Sequence, residues 1–166
     1  MSLEAFFRWQ EATAIATAIR ETDLLFPLIE SIHVLAITLV IGTIAIVDLR
    51  LLGVASLERR VTKVMGELLP FTWVAFIIAT ITGGLLFSSN AAAYFRNFYL
   101  DSKLVLLVLA GVNMFVFHLF ISRGIVDWDA SPHTPWRAKL AGGASILIWI
   151  AVVACGRWIG FTMLAP

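Results

Sequence analysis

The sequence predicts an all-α integral membrane protein, a four-helix bundle preceded by an amphipathic interfacial helix. Three observations carry that expectation. Of the 166 residues, 60% are hydrophobic and 14% charged, with a mean hydropathy of +0.93, too little polar surface to cover a soluble globule of this size. Four apolar stretches each reach about the 20 residues that carry a helix across a bilayer. Turn formers and charges gather in the segments between them. The length fits a single transmembrane domain over residues 1–166.

Composition also excludes. A net charge of +1, with no basic patch interleaved with aromatics, points away from nucleic acid. Cys155 stands alone, so no internal disulfide forms. The opening MSLEAFFRWQEATAIATAIR lacks a basic start, an unbroken apolar core and a small-residue cleavage site, so no cleaved signal peptide is expected.

Residues 3–20 set Leu3, Phe6, Phe7, Ile15 and Ile19 against Glu4, Arg8, Glu11 and Arg20, with Glu4 and Arg8 four apart, as on an amphipathic helix. It is expected on the membrane surface, packed over the bundle or bound to a partner. Thr22 or Asp23 can cap the first spanning helix, about 24–52, and Pro27 suits its first turn. A charged connection with Glu58, Arg59, Arg60 and Lys63 leads to the second, about 69–87, which holds Pro70, Gly83 and Gly84 but no charge. Ser88, Ser89 and Asn90 mark the next turn, before a third helix over about 99–122. A loop with Gly124, Asp127, Asp129, Pro132 and His133 ends at Thr134 and Pro135, the cap and first turn of a fourth helix, about 136–161.

Basic residues set the orientation, since cytoplasmic loops hold the excess. Arg50, Arg59, Arg60, Lys63, Arg123, Arg137 and Lys139 fall at one end, leaving Arg8, Arg20 and Arg96 at the other. Both termini are therefore expected outside, in a bacterial inner membrane. Tyr94 and Tyr99 at the outer ends and Trp73, Trp128 and Trp136 at the inner ends read as interfacial belts. Gly111, Gly142, Gly143 and Ser145 allow helices to approach closely.

Ionisable groups inside spanning helices are costly enough to mark function. The first and third helices run in the same direction, so equal distances along them mean equal depth. His33 and Lys103 then share an outer level, and fifteen residues further along each helix Asp48 and His118 share an inner one. Fifteen residues rise about 22 Å and turn only about 60° from a common face. Axial ligands of one haem lie about 4 Å apart, from metal–nitrogen bonds of about 2 Å. His33 and His118 therefore cannot both hold one iron within a single chain. Separate sites remain, each completed by another residue, a small molecule or a subunit interface.

At the outer level His33 is the candidate haem ligand, with Lys103 facing it and Arg157 placed to pair with a propionate. Lysine ligates only when buried strongly enough to lose its proton. Glu30, one turn before His33, is an alternative partner for Lys103 or Arg157, which would make the level an ion-pair cluster with no cofactor. At the inner level Asp48 and His118 read as a hydrogen-bonded helix clamp. His118 is also the candidate for a second haem iron, with Met114 one turn before it. His133, in a polar loop, reads as solvated, and Arg50 as snorkelling to headgroups. There is no zinc-like ligand spacing, phosphate loop or nucleophile beside a base.

The stretch IESIHVLAITLVIGTIAIVDLRLL, the second helix with Pro70, Gly83 and Gly84, and YLDSKLVLLVLAGVN together resemble the four-helix membrane proteins that include HemJ-type protoporphyrinogen oxidases and CopD copper-resistance membrane domains. The similarity runs over residues 25–120. In the HemJ type a first-helix histidine followed by a basic residue, and a third-helix lysine after an aromatic, go with haem b; His33, Arg50 and Lys103 match those positions. Asp101 replaces the histidine expected two residues before the lysine, and His118 and the GRWIGF ending have no counterpart. The chain resembles a neighbouring branch, and the resemblance implies a haem-associated bundle rather than porphyrinogen oxidation itself.

The functional expectation is a b-type haem protein for electron transfer or oxidation of a lipophilic substrate such as a quinol or porphyrinogen. Its partners would be membrane lipid and a quinone or redox protein, with homo-oligomerisation open. The competing expectation, from a different class, is a cofactor-free membrane accessory subunit or small proton-coupled transporter. The couple Asp48 and His118 would favour it.

Overall fold

A computed structural model describes residues 3–131 and 133–164, all helix and connecting loop, with no strand among them. Pro132 and the side chains of Leu3, Glu4 and Leu164 lie outside the described residues. Four helices are long and apolar enough to cross a membrane: Leu25–Leu52, Val61–Ser89, Phe98–Trp128 and Trp136–Met163. Their outward faces carry large apolar side chains such as Leu35, Leu39, Ile77, Val108 and Leu147, the surface a lipid solvent requires. The protein is a multi-pass membrane bundle.

The amphipathic segment divides in two, α1 (Leu3–Glu11) and α2 (Ala14–Glu21). The break falls at Thr13, whose hydroxyl accepts from the Ala16 N–H at 3.4 Å and restarts the helix. This hairpin packs over the bundle. Phe7 is buried, its ring centroid 4.6 Å from that of Phe95. Glu11 Oε1 accepts from the Ala92 N–H at 2.8 Å, and Arg20 Nη1 donates to the Ser89 carbonyl at 3.3 Å, so two charged side chains satisfy backbone groups orphaned at helix ends.

The first spanning helix, α3 (Leu25–Leu52), ends on Gly53, whose φ of 78° is the left-handed conformation that favours glycine at this cap. Next comes α4 (Val61–Ser89), which begins eight residues before the expected start at Leu69. Of the charged stretch read as a connection, Arg60 caps α4 and Lys63 lies in its first turn, and Arg59 pairs with Glu67 of the helix. Thr72, Ala75, Ala79 and Thr82 form a buried stripe on α4 facing Ala36, Val40 and Val47 of α3, and small residues let these backbones approach. Thr43 and Thr72 share a hydrogen bond of 2.7 Å across the pair.

A short α5 (Ala91–Phe95) leads to α6 (Phe98–Val116). The third span does not stay α-helical. It widens into a π turn over Phe117–Ile121 and tightens into a 3-10 turn over Ser122–Gly124 before α7 (Ile125–Trp128). Trp128, read as interfacial, is 8% exposed, buried in the inner-end core with Val47, Leu51, Val61, Val64, Phe117, Ala138 and Ala141.

The last helix is α8 (Trp136–Leu164). It packs against α3 and α6, while α3 packs against α4, giving the order α4, α3, α8, α6. Gly142 makes the α3–α8 contact possible: a Cβ there would stand 3.0 Å from the Asp48 carbonyl oxygen and 3.1 Å from Leu51 Cβ. Gly111 seats no neighbour within 4 Å of that position. It lines an open space between α4 and α6, which do not pack together.

Candidate functional site

His33 is a half-buried side chain held by α4. Its Nδ1 lies 2.9 Å from Thr82 Oγ1. The Thr82 hydroxyl also reaches the Ile78 carbonyl at 2.7 Å, and when it donates there it accepts from the imidazole. Nδ1 then carries the proton and Nε2 keeps its lone pair, the arrangement that a polar neighbour favours in a ligating histidine. The Ala79 backbone carbonyl is a second hydrogen-bond partner of the ring. Gly83 completes the seat: a Cβ there would come within 2.9 Å of His33 Cε1.

Lys103 of α6 is close enough across the bundle for its charge to act on His33. Its Nζ would stand 3.7 Å from a Cβ at Gly156 of α8. No ion pair or hydrogen bond to Lys103 is present among the described residues. The expected outer level is thus assembled from His33 and Lys103, with Thr82, Gly83 and Gly156 as neighbours that the sequence reading did not place at this level. Arg157 is exposed, its guanidinium 4.6 Å from the centre of the Phe161 ring. Glu30 pairs with neither Lys103 nor Arg157. It acts instead on Tyr94, whose phenol is pushed above its usual range by burial and then by the Glu30 charge.

At the inner level Asp48 and His118 line one cavity of about 250 Å³, bounded by all four spanning helices. They do not form the expected clamp. His118 is exposed and its Nδ1, in the widened turn, bonds the Met114 carbonyl of its own helix at 2.9 Å. Met114, read as a companion ligand to His118, contributes that backbone oxygen. Asp48 is 5% exposed, and its Oδ2 has no hydrogen-bond partner. Ser145 of α8 stands beside its carboxyl.

Arg50 corrects the sequence reading outright. It does not snorkel; it is fully buried. Nε donates to the Arg59 carbonyl at 2.8 Å, Nη2 to the carbonyls of Ser131 at 3.2 Å and Asp129 at 3.4 Å, and Nη1 to Thr134 Oγ1 at 3.4 Å. The planar fork ties the two inner loops to the end of α3. Beside it, Asp129 accepts from Thr62 N–H and Thr62 Oγ1, each at 2.8 Å. Desolvation pushes the Asp129 carboxyl up, but the Thr62 hydrogen bonds with the Arg60 and Arg50 charges outweigh it and hold the group below the usual carboxylate range.

No group of three histidine, cysteine or acidic side chains is arranged to hold a metal ion among the described residues. The donor set at His33 is of another kind, one neutral imidazole with an amine nearby, and it fits a haem held by a single protein nitrogen. No curated protein and no solved structure matches the chain. Over residues 6–162 it matches the profile of DUF6644, a family of unknown function, and it belongs to that family.

Proposed function

We propose that this member of DUF6644 is a b-type haem protein of the bacterial inner membrane, with both termini outside, serving electron transfer or oxidation of a lipophilic substrate. The observation that carries the reading is the His33–Thr82 bond, which, with Nδ1 as its donor, would leave Nε2 as an unprotonated ligand nitrogen within the membrane span. His33 would hold the iron. Lys103, the unpaired cation at the same level, would neutralise a propionate or complete the ligation. Arg157 lies one residue from the Gly156 surface that Lys103 touches, within reach of a second propionate by rotation away from Phe161. Haem b, when bound, supplies one-electron redox chemistry; the chain supplies the ligand, its tautomer and a low-dielectric surround. The exposed His118 keeps its place as the candidate for a second iron. The inside assignment of the loops rests on their basic residues. The test is the optical spectrum of protein purified after expression with excess haem. A Soret band that shifts on dithionite reduction is expected; a colourless protein overturns the reading.

One observation favours the second reading, a cofactor-free accessory subunit or small transporter. It is the unpartnered Asp48 Oδ2 in a cavity reached by all four spans. A colourless protein that takes up a substrate into liposomes in a proton-dependent way would establish that reading.

A further inference from the structure

The inner cavity is separate from the His33 site and has its own chemistry. α4 and α6 do not pack together, so the space between them is floored by α3 and α8 and faces the lipid. Its walls are aromatic, with Trp73 and Phe76 from α4, Phe117 from the π turn and Trp149 from α8. Asp48 sits in the floor, 5% exposed, with Oδ2 unpartnered. Ser145, 9% exposed, stands beside it, and Thr72, Asn113 and His118 are the other polar side chains of the lining.

A carboxylate in such a place needs a positive partner or a strong donor, because an unpaired buried charge costs several kcal/mol. Among the described residues no cation bonds it: Ser145 offers a hydroxyl to the carboxyl, and His118, which also lines the cavity, bonds the Met114 carbonyl of its own helix instead. No lysine or arginine lines the cavity, and the nearest arginine in sequence, Arg50, spends its donors on the loops. Aromatic faces next to a carboxylate form the environment that attracts a quaternary or tertiary ammonium, through charge pairing and the ring quadrupoles together. We propose that this cleft binds a lipophilic organic cation, an aromatic or alkyl ammonium that enters from the bilayer between α4 and α6 and pairs with Asp48. The size suits a head of one ring and a methylated nitrogen, with any longer tail left in lipid. The assignment goes beyond the haem reading and does not depend on His33.

The experiment uses the full-length protein in lipid nanodiscs and a matched pair of probes. Benzyltrimethylammonium carries the charge, and neopentylbenzene is its neutral isostere. Calorimetric titration against empty-nanodisc blanks is expected to show saturable binding of the cation and none of the neutral probe. Asp48→Asn should weaken cation binding about tenfold or more, with Asp48→Glu retaining most of it. Equal binding of the two probes would overturn the proposal, leaving an apolar lipid cleft, and so would an Asp48→Asn protein that binds the cation as well as wild type. If Asp48→Asn does not fold, the probe pair on wild type and Asp48→Glu still decides. A Soret band unchanged by Asp48→Asn separates this outcome from that of the haem reading.

Discussion

Thr82 holds His33 by its Nδ1. The two side chains meet at 2.9 Å across α3 and α4, and the threonine hydroxyl also reaches the Ile78 carbonyl at 2.7 Å. A histidine so held presents Nε2 without further adjustment, which is what separates a ligand-ready imidazole from one that merely fills space between helices.

Removing that acceptor should loosen the ligand without removing it. Thr82→Val is expected to weaken haem retention about 10- to 100-fold, read as the rate of haem transfer to apomyoglobin. Thr82→Ser, which keeps the oxygen, should stay near wild type. Equal rates for the valine and serine variants would show that the bond does not position the ring.

Gly83 makes a sharper case, because the change adds an atom and deletes no polar group. The Cβ of Gly83→Ala would fall 2.9 Å from His33 Cε1, so the ring must turn away from Thr82. Haem content is expected to drop while circular dichroism stays that of the helical wild type, since alanine is a better helix former than glycine. Gly84, with nothing within 4 Å of its Cβ position, is the control, and Gly84→Ala should leave haem content unchanged.

Arg50 should matter to stability rather than to colour. Arg50→Met would strand acceptors on Arg59, Asp129, Ser131 and Thr134, a loss of roughly 3 kcal/mol. Thermal melting in detergent is expected to fall by several degrees. Arg50→Lys should recover little, because an ammonium cannot span the same fork. A lysine variant that melts with wild type would mean that charge alone holds the loops.

Asp129 sets a pH limit on the same inner end. Its carboxyl is held below the ordinary value of 3.8 in the fold, so its contribution is present above that value and is lost as pH falls through the lower, folded one. The Thr62 amide is therefore expected to lose hydrogen-exchange protection below about pH 3.8. Asp129→Asn should flatten that dependence.

Membrane spans and polar levels were legible because both follow from simple periodicities. Long apolar runs announced the four helices, and a 1.5 Å rise per residue placed His33 with Lys103 and Asp48 with His118. What a single helix cannot tell is how its neighbour meets it. Thr82 and Gly83 look like ordinary small residues of α4 until α3 is laid against them; the stripe of Thr72, Ala75 and Ala79 was the available signal. Arg50 was misread because its partners are backbone carbonyls in distant loops, which no side-chain pattern records. The π turn over Phe117–Ile121, in which His118 bonds the Met114 carbonyl rather than Asp48, has no local mark in FHLFI.

The haem reading stands or falls on one residue. Pyridine haemochromogen analysis of purified wild-type and His33→Ala protein, both checked for helical content, measures haem per chain directly. The expected result is b-type haem in wild type and its loss at the His33 site in the variant, leaving at most what His118 holds. Haem content equal in the two proteins, or no haem in either, would contradict the assignment of His33 as the ligand.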